Sequence, residues 1–366
     1  MTIPALFKSF SSGNLTLSNR IVMAPMTRGF SPDGIPGHNV VDYYRRRAAN
    51  GVGLIITEGT GINHPAAVSG ASIPLFHGDE ALNGWSQVVN AVHEAGGKIM
   101  PQLWHVGMAR RKGDLPNLEA QPIGPSGYNI SGEQVTEPMT EGEIEEVIKA
   151  FGQAAADAKR IGFDGIELHG AHGYLIDQFF WEKTNRRTDR YGGDAIGRTR
   201  FAVEVIEACR RAVGPDFPII LRFSQWKMGN YDAKLIETPV QLERFLAPLS
   251  EAGVDIFHCS TRRFWLSEFE GSDLNLAGWT QKLTGKPAIS VGSVGLETEF
   301  VSAMPENKGM GDANLDKLAE RLKNEEFDLI AVGRVLLGDP AWAAKIRDDR
   351  TAEIVPFTSE TLKTLF

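Results

Sequence analysis

Cysteine is nearly absent from this chain: Cys209 and Cys259 are the only two in 366 residues. Two thiols exclude a disulfide framework and any four-thiolate cluster, and they suit a reducing compartment. A basic excess is missing too. The 38 Lys and Arg residues face 46 Asp and Glu, a net charge of -8 with no long block of one sign. That balance argues against nucleic acid as a partner. No apolar run nears the ~18 residues needed to cross a bilayer. Residues 1–13 lack the basic start and apolar middle of a secretory leader. There is also no G-x-G-x-x-G, which an open dinucleotide-binding sheet would carry early. The expectation is a cytoplasmic protein with neither nucleic acid nor membrane as partner.

What the chain does have is a regular alternation. Short apolar runs occur at Arg20 to Ala24, Gly53 to Thr57, Lys98 to Leu103, Asp164 to Leu168, Pro218 to Phe223, Val254 to Cys259, Pro287 to Val291 and Asp328 to Val332. Most are near-continuous in Val, Ile and Leu, as parallel strands buried on both faces should be. Amphipathic stretches lie between them, among them Asp79 to Ala95, Glu141 to Ile161, Ile196 to Val213 and Thr238 to Ala252. Thr140 and Glu143 make a capping box ahead of the second of these. Eight strands each followed by a helix predict an α/β fold, a (β/α)8 TIM barrel, as one domain over residues 1–366. Leu6 to Leu17, turning at Ser12-Gly13-Asn14, predicts a hairpin capping the barrel's bottom. Val106 to Pro138 predicts a long loop after the third barrel strand, placed to act as a lid. Ser302 to Asn314 reads as a second irregular insertion.

The fourth run stops abruptly at His169-Gly170-Ala171-His172-Gly173-Tyr174. Three proton-active side chains leaving a buried strand read as the floor of an active site. A His-x-x-His pair also reads as two metal ligands, and His105 and His258 stand at other strand ends. The alternative is therefore a metal-dependent barrel hydrolase, with Glu58 as the one carboxylate at a strand end near them. Glycines after the last two strands, in Gly292-Ser293-Val294-Gly295 and Gly333-Arg334, outline a phosphate site. Gln102 and Arg222 at the mouth suit a flat heterocycle, with Arg222 favouring negative charge.

Read in order, these strand ends resemble the old yellow enzyme family, the FMN-dependent ene-reductases. The resemblance rests on Asn19 to Arg28, on Tyr43 to Ala48 followed by Gly53 to Glu58, and on Pro101 to His105. It continues through the His169 segment with Asp189-Arg190-Tyr191-Gly192-Gly193, and closes with Ala331 to Arg334 and Asp339-Pro340. It implies that Ala24, Pro25, Met26, Thr27, Gly59, Gln102 and Arg222 hold the flavin ring. Thr27, where one subgroup has Cys, would tune the ring. Gly292, Ser293, Gly333 and Arg334 would bind the FMN phosphate. His169 and His172 would donate to a substrate carbonyl or nitro oxygen, and Tyr174 would donate the proton. NADH or NADPH would supply hydride, and the substrate would be a small electron-poor alkene. Trp104, Phe264 and Trp265 are the candidates for shaping the pocket. No resident metal is implied, and a monomer or small homo-oligomer is expected. Two cysteines exclude a flavin barrel enzyme with an added iron–sulfur cluster. A flavin carrier without catalysis would leave the His pair and the Tyr surplus.

Overall fold

The computed structural model describes residues 3–296 and 312–366. Eight parallel strands close into a barrel in chain order. They are β3 (Ile21–Met23), β4 (Leu54–Gly61), β5 (Lys98–Trp104), β6 (Ile166–His172), β7 (Ile219–Lys227), β8 (Ile256–Ser260), β9 (Ala288–Val291) and β10 (Leu329–Val332). Each apolar run of the sequence forms one strand. Helices pack outside: α1 (His38–Ala49), α2 (Asp79–Glu94), α3 (Glu141–Arg160), α4 (Leu175–Phe180), α5 (Arg200–Val213), α6 (Pro239–Glu251), α7 (Leu276–Thr284), α8 (Asp312–Lys323), α9 (Arg334–Gly338) and α10 (Trp342–Arg347). The capping box of α3 forms as expected, with Thr140 Oγ1 accepting from the Glu143 N–H and the Glu143 carboxylate accepting from the Thr140 N–H.

The hairpin is an antiparallel pair, β1 (Phe10–Ser12) and β2 (Leu15–Leu17). Phe10, Leu15 and Leu17 pack on Val22, Leu54, Ile56, Met100, Ile220, Ile256, Ile289 and Leu329. These lie at or near the starts of the strands, so the hairpin stoppers the barrel's N-terminal end. Burying each leucine contributes about 1.5–3 kcal/mol. The C-terminal end is left for side chains with other work.

Two departures from the expectations matter. β7 runs on past Phe223 to Lys227, and its pairing with β6 shifts register between Gly170 and His172. The loop after β5 is fastened down, not free. The Arg110 guanidinium donates to the carbonyls of Val68, Asp114 and Asn117, and that of Arg187 to Pro125 and Met139. No residue of 106–138 lines the cavity described below, so the lid expected there is not seen in the cavity wall. The insertion expected over 302–314 lies, up to residue 311, outside the described residues.

Candidate active site

A cavity of about 500 Å³ opens at the C-terminal ends of the strands. Its wall is assembled in turn from Ala24, Pro25, Met26 and Thr27 after β3, Gly59 of β4, Gln102 and Trp104 of β5, and His169, His172 and Tyr174 at the end of β6. Arg222 of β7, Gly292 and Ser293 after β9, and Gly333 and Arg334 after β10 continue it. Gly59 cannot be anything larger: a Cβ there would sit 2.5 Å from the Trp104 ring.

The floor is a buried polar chain. Gln102 Nε2 donates to Glu167 Oε1 at 2.8 Å, and His258 Nδ1 donates to Glu167 Oε2 at 2.6 Å. Burial keeps His258 below the usual imidazole range, and Glu167 and His258 are fully inaccessible. Because the Gln102 amide nitrogen is committed downward, its Oε1 is the atom left as an acceptor. A charged residue inside an apolar run is the sequence signal for Glu167.

Above the floor, rings pack edge to face. Tyr174 lies 4.9 Å from both Trp104 and His169, and His169 lies 5.2 Å from His172 at 89°. His172 has a left-handed backbone, φ +65°. It is held there at both ends: its N–H donates to Ser224 Oγ at 3.0 Å, and its carbonyl accepts from the Met228 N–H at 3.1 Å. Such conformations in non-glycine residues persist only where the surroundings impose them, and they gather at functional sites. Burial first, then the Arg222 cation, drives His169 and His172 well below the usual imidazole range, so both are neutral. Burial pushes the Tyr174 hydroxyl up, which keeps its proton on. His169 Nδ1, Trp104 Nε1 and Arg222 Nε are buried with no hydrogen-bond partner. Orphaned donors and acceptors of this kind cost free energy unless a ligand meets them.

At the far end the backbone turns through two unusual conformations in succession. Gly292 has φ +152° and Ser293 φ +53°. A Cβ on Gly292 would lie 2.8 Å from the Thr261 carbonyl, so only glycine fits. Consecutive residues in such conformations can turn their N–H groups to one side. Arg334 Nη2 lies 3.5 Å from Ser293 Oγ, and burial lowers this guanidinium only to about 10, so it stays charged at neutral pH.

The structure leaves two expected residues out. Phe264 is fully buried in the core with its N–H on the Gly292 carbonyl, and Trp265 packs edge-on against it at 5.2 Å. Neither lines the cavity, because the chain turns inward after Arg263. The aromatic role falls instead to Trp226, which stacks on His172 at 4.3 Å and 25°. Ser260, Thr261 and Arg262 line the wall from the strand end read as His258 to Arg263, and Ser69, Ile73, Met228 and Leu362 line it without having been expected. Trp226 lies within the unforeseen part of β7.

The histidines do not converge as metal ligands. His105 Nε2 faces His64 Nδ1 at 2.9 Å, and His258 faces Glu167. The Glu58 carboxylate accepts the N–H groups of Arg28 and Gly29 at 2.8 and 2.9 Å. Among the described residues no three His, Cys, Asp or Glu side chains gather around one point.

Residues 5–353 match the model of the NADH:flavin oxidoreductase / NADH oxidase family. The chain is 38% identical over 363 residues to an NADH oxidase of Thermoanaerobacter brockii, covering 96% of this chain and 52% of that protein. It is 40% identical over 224 residues to 12-oxophytodienoate reductase 7 of Oryza sativa subsp. japonica, covering 58% and 56%. The chain thus spans about half the length of these relatives. Among solved structures, morphinone reductase in complex with tetrahydroNAD superposes with a TM-score of 0.80 at 28% identity, over 98% of this chain and 93% of that one. An old yellow enzyme from a Pichia species gives 0.79 at 26%, over 98% and 90%. The chain belongs to the NADH:flavin oxidoreductase / NADH oxidase family, that of the old yellow enzymes.

Proposed function

We propose that this chain reduces the C=C bond of α,β-unsaturated carbonyl or nitro compounds, with FMN as resident cofactor and NADH or NADPH as hydride donor. The observation that carries this reading is the grouping at the end of β6. His169, with Nδ1 buried and unpartnered, stands beside His172 and a protonated Tyr174 in one cavity with the polar floor and the turn at Gly292 and Ser293.

The residues fit FMN. Gln102 Oε1 is an acceptor for a ring N–H. Arg222 has a buried, unpartnered Nε to offer a ring oxygen or nitrogen. Ala24, Pro25, Met26, Thr27 and Gly59 would flank the ring, and Gly292, Ser293, Gly333 and Arg334 would hold the phosphate. Bound there, FMN would supply the hydride relay between nicotinamide and alkene.

The rest of the chemistry belongs to the chain. His169 and His172 donate hydrogen bonds to the substrate's oxygen, and those bonds strengthen as charge grows on it. Both rings are neutral, so the oxygen gains donors without an imidazolium proton to lose. Tyr174 then delivers its proton to Cα, which burial has kept on the hydroxyl. One cavity serving nicotinamide and alkene in turn means ping-pong kinetics.

The test is the visible spectrum of the purified protein under anaerobic NADH or NADPH, followed by 2-cyclohexenone. Flavin absorbance should bleach and then return. Tyr174→Phe should slow the return by about 10²–10⁴-fold and leave the bleaching rate unchanged. Equal loss in both half-reactions would remove Tyr174 from proton donation, and a protein that cannot take up FMN would sink the whole reading.

A further inference from the structure

Ser260, the last residue of β8, is buried, and two neighbours determine what its hydroxyl does. Arg222 Nη2 lies 3.3 Å from Oγ. A guanidinium only donates, so Oγ accepts there. His172 Nε2 lies 2.7 Å away on the other side. The second lone pair of Oγ can also take a proton from Nε2, but that arrangement leaves the hydroxyl proton without a partner among the described residues; pairing every proton puts it on the lone pair of His172 Nε2. A neutral imidazole that accepts at Nε2 carries its proton on Nδ1. Nδ1 of His172 has no hydrogen-bond partner among the described residues, and this ring lines the cavity.

We propose that Ser260 is a positioning residue that holds His172 in its Nδ1–H tautomer, making Nδ1 the nitrogen that donates to the substrate's oxygen. The proposal rests on the reading of His172 as an oxygen-binding residue. Ser260 acts at two points. Its hydroxyl sets the proton, and its carbonyl accepts from Trp226 Nε1 at 3.1 Å, which holds the indole flat against the imidazole. The alternative tautomer would place a lone pair at Nδ1 and repel a carbonyl, nitro or phenolate oxygen. Burial and the nearby Arg222 keep the ring uncharged, so tautomer rather than charge decides whether this nitrogen donates.

The experiment uses the FMN-loaded protein labelled with 15N-histidine, with 4-hydroxybenzaldehyde as probe. Long-range 1H–15N correlation reads which nitrogen of His172 carries the proton, and flavin absorbance reads phenol affinity. The wild type should show Nδ1–H. Ser260→Ala should move the proton wholly or partly to Nε2 and weaken phenol binding about tenfold, the cost of one hydrogen bond to a charged oxygen. Ser260→Thr, which keeps the hydroxyl, should restore both. A wild-type proton on Nε2 overturns the proposal without recourse to any variant. So does an affinity loss in Ser260→Ala with no proton shift, the result a merely structural serine would give. His172→Ala separates the two readings. If it leaves phenol affinity unchanged, the oxygen-binding reading of His172 fails, whereas the tautomer result still decides what Ser260 does.

Discussion

At Glu58 burial and hydrogen bonding pull in opposite directions. Burial raises its carboxyl, the Arg28 and Gly29 N–H groups lower it, and burial wins, moving it from 4.5 up to about 7. The folded protein therefore holds this proton more tightly than the unfolded chain does. Stability from this group is fully present below about 4.5 and is lost as pH rises to about 7, flat above that. A gap of two to three pH units corresponds to about 3 kcal/mol. The neutral histidines act the other way: with folded values lowered, His105, His169 and His172 contribute stability above 6.5 that is lost as pH falls. Glu58→Gln isolates the carboxylate. The variant should gain melting temperature relative to wild type on going from pH 5 to pH 8. A constant difference across that range would show that Glu58 does not titrate there.

Between elements, the end of β7 is tied to the start of α4 by a buried ion pair, Lys227 Nζ to Asp177 Oδ1 at 2.7 Å. Asp177 Oδ2 also accepts from the Gly173 N–H at 2.6 Å, one residue before Tyr174. Burial pushes both partners toward their neutral forms, and their mutual attraction works against it. Lys227→Met should cost about 3–5 kcal/mol by leaving a carboxylate alone in the core. Adding Asp177→Asn should recover part of that loss, giving a coupling above ~1 kcal/mol in urea unfolding. Strict additivity would deny the pair any role. This pair also explains what the sequence hid. The eight runs could be read because strands buried on both faces announce themselves as continuous apolar stretches. Beyond Phe223 the strand continues through Ser224, Gln225 and Lys227, which are buried by pairing rather than by being apolar. Hydropathy cannot see such pairing, and Trp226 was lost with it. Phe264 and Trp265 failed for the converse reason, since an aromatic residue after a strand end looks the same whether it turns inward or faces a ligand. The strand-end positions of the site came from the residues, whereas the flavin and substrate roles came from the family resemblance.

Across the whole molecule, the two ends of the chain attend to opposite ends of the barrel. The hairpin fills the bottom, and residues 359–365 run past the top. Arg28 Nη2 donates to the carbonyls of Thr361, Leu362 and Thr364, and Leu362 reaches the cavity wall. Arg28→Ala should speed amide hydrogen exchange in residues 359–365 at least tenfold, with the barrel strands unchanged. Protection as strong as in the wild type would show that other contacts hold this segment. The stoppered bottom has a further consequence for assembly. With the barrel interior packed from below, the cavity is reached from the C-terminal ends of the strands, past Leu362. The resident flavin would then enter past residues 359–365, so reloading of stripped protein should be paced by the opening of that segment and should quicken in Arg28→Ala. What looks like a passive plug of three apolar side chains would set the side from which the finished holoprotein is put together.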